Sequence, residues 1–410
     1  MFRLIHLSDV HLDERRQLAG SIRLDEHGQN AALSNTVACL RAVRDAALAD
    51  GPVDLWAITG DLFDTPTPTQ LEERCAVEFV ESLTPHAPVV VLAGNHDVPG
   101  AGSGATALEC LKLRDNVTVV ETPQVLVVSR GFHGNTVLAS DDDVTEDDDT
   151  VTIACVPYPR RAELVALAPD GSREERNAAA SAVLKDIIRG LRLESEERAP
   201  ATAYRLALYH GGLDGAVVGV QPRSLSGDIS VHPTDFAGFD YVAAGHIHKR
   251  QQLAPNVWYA GSVDRVDFDE EGDEKGALDV QLERGALTVE PIATPARRYV
   301  TLPLDAEPET LEPGVVYRWK GEATAAEAAE LRRRVAARSG DAWVTTAVRL
   351  VAEVRARDAE ARADETASAL LGRWLLANPL HVDGVTSAHG AQREDVIADI
   401  VRLHHAAAGE

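Results

Sequence analysis

Five short stretches place metal-competent side chains directly after apolar runs of the sequence. They combine imidazoles, carboxylates and one amide, and a glycine adjoins four of the five. In chain order they are Asp9-Val10-His11, Gly60-Asp61, Gly94-Asn95-His96-Asp97, His210-Gly211-Gly212 and Gly245-His246-Ile247-His248. Nitrogen and oxygen donors mixed in this way suit first-row divalent metals such as Mn, Fe, Ni or Zn. Glycine lets the backbone turn sharply and approach a ligand closely.

The spacing within these stretches indicates more than one cation. Residues i and i+2 of a strand point the same way, so Asp9 with His11, and His246 with His248, are expected to converge on one point or on two adjacent points. Asp61 alone could bridge two cations. Two cations roughly 3.5–4 Å apart would clamp a phosphoryl group and provide a hydroxide at neutral pH. Because Asp9 and Asp61 cancel only two of the four positive charges, the site would still attract a phosphate diester.

Each stretch taken alone is a weak signal, because short Asp-x-His or Gly-Asp sequences arise by chance. Histidines outside the five stretches, such as His6 and His27, are expected to be ordinary core or surface residues. All five stretches in one order, each at the end of an apolar run, favour a metal site over a coincidence.

The elements that must position these residues alternate along the first 100 residues. Apolar runs predict strands at 2–7, 53–58 and 88–93, and helical spacing of apolar residues predicts helices at 31–49 and 69–83. Strands that alternate with helices form a parallel sheet with right-handed crossovers. In such sheets the loops at the carboxyl ends of the strands carry the ligands.

The rest of the chain changes character twice. Short β runs between about 115 and 160 fit an antiparallel extension, and the acidic stretch 141–149 between two of them reads as a solvated loop. A helix is predicted at 175–193, followed by strands at 205–210, 240–244, 257–260, 276–282 and 287–292. After about Pro295 a small α/β unit is predicted from a β run at 315–320, a helix around 324–338 and the stretch 342–354. Two amphipathic helices are predicted at 365–378 and 393–407.

Composition limits the class of protein. The chain has 410 residues, enough for two or three domains, and a net charge of −25. This charge argues against binding nucleic acid with the whole surface, but leaves room for a nuclease whose phosphate contacts come from metals, a local patch or a partner. No apolar run approaches the roughly 20 residues of a membrane span, and the N-terminus does not resemble a signal peptide. Four scattered cysteines indicate neither a disulfide framework nor a zinc ribbon, so a cytoplasmic protein is expected.

The ordered set Asp-x-His, Gly-Asp, Gly-Asn-His-Asp, His and Gly-His-x-His resembles the signature of the calcineurin-like metallophosphoesterases, over residues 9–248. That resemblance implies an α/β fold, a four-layer αββα sandwich with a dinuclear metal site. One metal would be held by Asp9, His11, Asp61 and His248, and the second by Asp61, Asn95, His210 and His246. His96 would face the phosphate as a catalytic residue, and Asp97 would orient the His96 imidazole.

Three features resemble the SbcD-type branch, the nuclease subunits of DNA double-strand-break repair. They are the Gly-Asp-Leu-Phe-Asp sequence at 60–64, the Gly-Ser-x-x-Arg sequence and acidic run within 259–282, and the α/β unit that follows. The resemblance implies a nuclease domain at 1–295, a small α/β capping domain at 296–358 and a C-terminal helical partner-binding region at 359–410. It also implies two divalent metal ions, with Mn²⁺ as the preferred metal. The implied partners are DNA, an SbcC-type coiled-coil ATPase and a second copy of the chain, and no membrane is involved.

Two other functions compete with a DNA exonuclease and endonuclease subunit. A small-substrate phosphodiesterase of the same fold, acting on a cyclic nucleotide or another diester, would use the same site without needing about 110 further residues. A docking protein with a silent site would use only the fold, and the intact set of ligand residues argues against it.

Overall fold

The computed structural model describes residues 1–99, 105–131, 134–138, 150–160, 164, 171–199, 202–218, 229–338 and 342–351. The acidic stretch 141–149 and the predicted C-terminal helices 365–378 and 393–407 lie outside these residues. Two compact units divide the chain, Met1–Glu322 with Glu327–Arg349, and Ala323–Ala326 with Leu350–Glu410. The second unit is described only at Ala323–Ala326, Leu350 and Val351.

Within the described residues the helices and strands fall as follows. The α-helices are α1 (Ala31–Ala49), α2 (Gln70–Glu81), α3 (Arg173–Arg198) and α4 (Ala325–Ala337). The strands are β1 (Phe2–Leu7), β2 (Leu55–Thr59), β3 (Val89–Leu92), β4 (Val117–Val120), β5 (Gln124–Gly131), β6 (Gly134–Leu138), β7 (Val151–Val156), β8 (Tyr204–His210), β9 (Gly212–Leu213), β10 (Ser230–Val231), β11 (Tyr241–Gly245), β12 (Gln251–Ala254), β13 (Val257–Tyr259), β14 (Gly276–Glu283), β15 (Ala286–Ala293), β16 (Tyr299–Leu302), β17 (Val316–Ala323) and β18 (Trp343–Leu350). Short 3₁₀ helices occupy Ala107–Leu111, Pro233–Phe236 and Phe268–Glu270.

Two large sheets form the centre of the first unit. One has the strand order β15-β14-β1-β2-β3-β4, and the other has the order β12-β13-β11-β8-β7-β5-β6. The pairs β1–β2, β2–β3 and β3–β4 are parallel in the first sheet, and β7–β8, β8–β11 and β11–β13 are parallel in the second. The carboxyl ends of several strands therefore gather at one edge of each sheet.

Three apolar cores stack these elements into the predicted four-layer αββα sandwich. The first core packs α1 and α2 against one sheet, the second joins the two sheets face to face, and the third packs α3 against the other sheet. The middle core contains fully buried residues from both sheets, such as Leu4 and Leu208. Removing a leucine side chain of this size from water contributes about 1.5–3 kcal/mol.

Local signals fix where the first two helices begin. The Asn30 side chain accepts hydrogen bonds from the backbone N–H groups of Ala32 and Leu33 at the start of α1. At the start of α2, Thr69 and Glu72 form a reciprocal capping box. Helix α1 precedes β2, and α2 lies between β2 and β3. The starts of the helices beside these strands are thus set by capping residues of the local sequence.

His6 confirms the expectation of an ordinary core histidine. Its ring is fully buried, with Nδ1 at 2.9 Å from the Tyr241 hydroxyl and Nε2 at 3.0 Å from the Thr59 hydroxyl. The imidazole thus hydrogen-bonds within the first sheet and across to β11 of the second.

The structure corrects part of the strand prediction. The run at 117–120 was expected in an antiparallel extension, but β4 pairs parallel with β3 and closes the first sheet. β5 is antiparallel to both β6 and β7, as expected. The small α/β unit is present as the three-stranded sheet β16-β17-β18 with α4, although no strand had been predicted at Tyr299–Leu302.

None of the helices in the described ranges is long and apolar enough to cross a membrane.

Candidate metal centre

The predicted site residues meet where the carboxyl ends of five strands converge. β1, β2 and β3 of the first sheet lead into the loops of Asp9, Asp61 and Asn95, while β8 ends on His210 and β11 leads into His246. Backbone hydrogen bonds tie the loops together, including Asp9 N–H to the Gly60 carbonyl at 3.1 Å. One site is therefore assembled from both sheets.

Four of the seven predicted ligand residues leave the strand conformation, contrary to the i and i+2 argument. Asp9, His11, Asp61 and His246 have φ values of 50°, 51°, 53° and 104°. Non-glycine residues rarely adopt this left-handed region, which costs about 1–3 kcal/mol each and clusters at functional sites. Strained turns, and not strand alternation, therefore aim these side chains.

Asp9, His11 and His248 form a first group of donors. The Nε2 atoms of His11 and His248 lie 3.0 Å apart, and His248 Nε2 is 3.9 Å from Asp9 Oδ1. Asp61 Oδ2 is 3.8 Å from His11 Nε2. Two imidazole nitrogens at this separation could bind one cation as neighbouring ligands.

Asp61, His210 and His246 form a second group, and the Asn95 amide oxygen lies within it. Asn95 Oδ1 is 3.1 Å from His210 Nε2 and 2.9 Å from His246 Nδ1. Asp61 Oδ2 is 3.3 Å from His210 Nε2. The same Asp61 oxygen therefore faces both groups of donors.

The distances between donors fit divalent cations. Neighbouring ligands of an octahedral ion with bonds of about 2.1 Å lie about 3.0 Å apart. The closest pairs in both groups, from 2.9 to 3.3 Å, match that separation. Six of the seven predicted ligand residues take part in these close pairs, and the seventh, Asp9, has its Oδ1 atom 3.9 Å from His248 Nε2. The donor set therefore suits two neighbouring metals.

Polar contacts on the far side of the rings hold three imidazoles in place, two through hydrogen bonds and the third, His11, through an ion-pair contact. His210 Nδ1 donates to the Thr59 carbonyl at 2.7 Å, which leaves Nε2 as the free donor atom. His248 Nδ1 is 2.6 Å from Glu270 Oε1, and His11 Nδ1 is 3.1 Å from Asp64 Oδ1. Such outer partners fix the tautomer and orientation of a metal-binding histidine.

The charges in the site favour a cation. Burial by itself would lower the pKa of His210, but the Asp61 carboxylate outweighs it and raises that pKa to about 9. Burial would raise the pKa of Asp61, yet the His210 and His11 imidazoles hold it below its usual range. The Asp61 carboxylate thus favours positive charge beside it, which a proton supplies on His210 and which divalent ions would supply in its place.

His96 and Asp97 have different partners from those expected. The His96 ring lies 4.8 Å from the His11 ring, and its Nδ1 is 2.7 Å from the Asp64 carbonyl oxygen. The Asp97 carboxylate instead accepts hydrogen bonds from the backbone N–H groups of Asp61, Leu62, Phe63 and Gly94. The Asp97 oxygens thus organise the loops after β2 and β3, and the role of Asp97 in orienting the His96 imidazole stays a prediction.

Two glycines permit the close packing of these loops. A Cβ atom on Gly94 would overlap the Asp61 carboxylate and backbone nitrogen. Gly60 has a φ of 94°, and a Cβ there would overlap the His210 ring. At both positions a larger residue would displace a ligand side chain.

A cleft of about 940 Å³ opens beside His246 and His248. Its lining includes the acidic segment Asp267–Asp273 and the cationic residues Lys249, Arg318 and Lys320. The cleft therefore carries both acidic and cationic side chains beside the donor groups.

Sequence reasoning missed Asp64 and Glu270, which hold ligand imidazoles from behind. Glu270 lies in the acidic run that follows the last histidines, and nothing in that run distinguishes it from Asp269 or Glu271. The nearby Arg265 guanidinium donates to the carbonyls of Glu270, Asp273, Ala296 and Arg297.

The family model described as Calcineurin-like phosphoesterase matches residues 2–250 of the chain. The chain therefore belongs to the calcineurin-like phosphoesterase family, hydrolases of phosphate esters that use divalent metals.

Within that family it is similar to the SbcD subunits of SbcCD nucleases from two bacteria. The Bacillus subtilis (strain 168) protein is 26% identical over 298 residues, which cover 69% of this chain and 67% of that protein. The Escherichia coli (strain K12) protein is 27% identical over 299 residues, which cover 70% of this chain and 66% of that protein. The similarity thus spans about two thirds of each relative.

Proposed function

We propose that this chain is the metal-dependent DNA nuclease subunit of an SbcCD-type repair complex, with exonuclease and endonuclease activity on broken or hairpin ends. The observation that carries the proposal is the position of Asp61, whose Oδ2 atom faces both His11 and His210. A carboxylate between two donor groups suits a pair of metals that act on one phosphodiester. The similarity to nuclease subunits supports DNA as the substrate.

The ligand assignment follows the two groups of donors. One metal would be held by Asp9, His11, Asp61 and His248, and the second by Asp61, Asn95, His210 and His246. Mn²⁺ is the proposed metal, and the same donors also accept Fe, Zn or Ni. When bound, two such ions polarise the phosphoryl oxygens and lower the pKa of a water nucleophile.

His96 is proposed to act on the leaving group. Its Nδ1 is bonded to the Asp64 carbonyl, so the exchangeable proton of the imidazolium is the one on Nε2. That proton would pass to the sugar oxygen as its bond to phosphorus breaks. The main chain also fixes this residue, because the His96 N–H donates to Asp61 Oδ1 at 2.8 Å. A shift of the Asp61 loop would therefore move the proton donor as well.

The cleft beside the site supports a polymeric substrate. Lys249 lies next to His248, and Arg318 and Lys320 project from β17 of the small sheet. Positive side chains near the metals would contact phosphates on either side of the reacting one. These three side chains would offer phosphate contacts in a cleft that also carries acidic residues.

The proposed organisation of the chain follows the same reasoning. Residues 1–295 would be the nuclease domain, 296–358 the cap over the DNA, and 359–410 the helical region that docks on an SbcC-type ATPase. A homodimer and a cytoplasmic location complete the proposal. Truncation after residue 362 tests the docking region: the shortened chain should no longer copurify with the ATPase, and retained copurification would place docking elsewhere.

The deciding experiment supplies Mn²⁺, Mg²⁺ or EDTA to the purified chain with linear duplex DNA, a DNA hairpin and bis-p-nitrophenyl phosphate. His96→Gln serves as the matched variant, since it should retain metal and DNA binding while losing cleavage. Metal-dependent DNA cleavage that the variant lacks is the expected result. Cleavage that persists in His96→Gln would refute the catalytic role of this residue.

A small-substrate phosphodiesterase is the second candidate, because the donor groups alone would serve either substrate. It predicts hydrolysis of the small diester with no DNA cleavage, even when an SbcC-type partner is added. The similarity to nuclease subunits favours the nuclease.

A further inference from the structure

The segment between β13 and β14 touches both the candidate metal centre and the small sheet. It contains the 3₁₀ helix Phe268–Glu270, whose C-cap residue is Glu271. The two neighbouring glutamates reach in different directions. Glu270 contacts the site histidine His248, and Glu271 contacts Thr301 of β16.

Glu270 is held rigidly on the side of the metal centre. Its Oε1 atom is 2.6 Å from His248 Nδ1, and its Oε2 atom accepts from the Val266 N–H at 3.0 Å. The fully buried Lys275 ammonium lies 2.9 Å from Oε2 and also donates to the His248 carbonyl at 2.9 Å. Both the ring and the backbone of His248 are therefore fixed by one buried ion pair.

Glu271 fastens the same 3₁₀ helix to the small sheet. Its two carboxylate oxygens accept from the Thr301 N–H at 2.8 Å and from the Thr301 hydroxyl at 2.6 Å. Arg318 donates to that hydroxyl at 3.1 Å and stacks on the Phe268 ring at 4.1 Å. Phe268 also packs edge-on against Tyr299, with ring centroids 4.8 Å apart.

We propose that Glu270 is the positioning residue for His248, and that the contact between Glu271 and Thr301 lets the small sheet set how tightly the metal is held. The inference rests on the proposed metal centre. A displacement of β16 would move Glu271, which is bonded to Thr301. Because Glu270 precedes Glu271 in the same helical turn, it would move as well and would change the orientation of the His248 ring. Outer partners of ligand histidines typically change metal affinity by about 10–100-fold.

The test is Mn²⁺ binding to the full chain by isothermal titration calorimetry, without substrate. Glu270→Gln should weaken binding by about 10–100-fold, and Glu270→Asp, which keeps the charge, should weaken it less. Glu271→Gln and Thr301→Val, which touch no ligand, should each weaken binding several-fold. Glu274→Gln is the matched control, because this exposed glutamate of the same segment contacts Arg250 and should leave the affinity unchanged.

Circular dichroism and thermal melting of the metal-free proteins separate positioning from folding. Normal spectra with weaker binding support the proposal. Wild-type affinity in Glu270→Gln would overturn the positioning role. If both Glu271→Gln and Thr301→Val melt at a lower temperature but keep wild-type affinity, the contact between Glu271 and Thr301 stabilises the fold and does not control metal binding. A wild-type chain that binds no Mn²⁺ would overturn the metal centre itself. A chain that binds Mn²⁺ without cutting DNA would overturn only the proposed nuclease function.

Discussion

Replacing Gly94 by alanine should damage the metal centre through a single methyl group. The added Cβ would overlap both the Asp61 carboxylate and the Asp61 backbone nitrogen. A change of side-chain rotamer cannot relieve the second overlap. The Asp61 N–H is bonded to Asp97 at 2.9 Å, and the Gly94 N–H donates to the same carboxylate oxygen at 2.9 Å. The two loops are therefore clamped to each other where the methyl group must fit.

The size of the effect follows from this geometry. The loop that carries Asp61 must move by about 1 Å to restore an ordinary van der Waals separation. Overpacking of this kind costs about 1–3 kcal/mol of stability. A displacement of about 1 Å at a catalytic centre can reduce the rate about 100-fold. Because Asp61 faces both donor groups, both proposed metals should bind more weakly.

Urea unfolding, Mn²⁺ calorimetry and hydrolysis of bis-p-nitrophenyl phosphate would measure these effects. Gly190→Ala provides a control of the opposite sign, since Gly190 lies within α3 and an added Cβ meets no atom within 4 Å. Alanine should stabilise that helix by about 0.5–1 kcal/mol and leave metal binding unchanged. If Gly94→Ala matches the wild type in both stability and Mn²⁺ affinity, the close approach of the two loops is not what holds Asp61 in place.

Three further predictions test charge and burial. Removing metal with EDTA should lower the melting temperature, because bound Mn²⁺ at 100 times its Kd stabilises by about 2.7 kcal/mol; identical melting curves with and without Mn²⁺ would contradict a metal between these carboxylates. Asp97→Asn should lower the free energy of unfolding in urea by about 3 kcal/mol, since the amide nitrogen would face backbone N–H donors that the carboxylate now satisfies. A smaller decrease than that caused by Asp115→Asn on the surface would refute this. Burial lowers the pKa of His6 from 6.5 to about 3, so the unfolded chain binds a proton that the folded chain excludes. Stability should therefore fall as the pH drops from 6.5 towards 3, by up to about 1.4 kcal/mol per pH unit, and His6→Gln should flatten this slope in urea titrations at several pH values.

The sequence predicted the elements of the first sheet well because burial and helical spacing agree there. The helix predicted at 31–49 has those bounds, and the strand at 2–7 is buried along its whole length. The direction of the run at 117–120 was mistaken because a short apolar run fits a parallel or an antiparallel neighbour equally well. The direction in which this run pairs with its neighbour depends on how the chain connects the two strands, and a local sequence pattern does not contain that information.

The site was predicted by residue type and missed in its finer contacts. The structure gathers the seven expected ligand residues, and their role as ligands stays a proposal. The predicted strand geometry of Asp9 and His246 was wrong, because these residue types do not indicate a left-handed backbone. Glu270 went unnoticed because its contact with His248 depends on how an acidic segment folds, and one carboxylate in such a segment looks like the next.

The convergence of two sheets on one site also bears on the order in which the chain is made. The loops of Asp9, Asp61 and Asn95 are synthesised early, but His210 at the end of β8 and the two histidines after β11 are missing until His248 has been synthesised. Asp9 reaches its hydrogen bond with the His246 N–H across 237 positions of sequence. A nascent or truncated first sheet thus carries four of the seven proposed ligand residues and cannot enclose the proposed pair of metals. The proposed activity therefore requires that both sheets have formed and stacked.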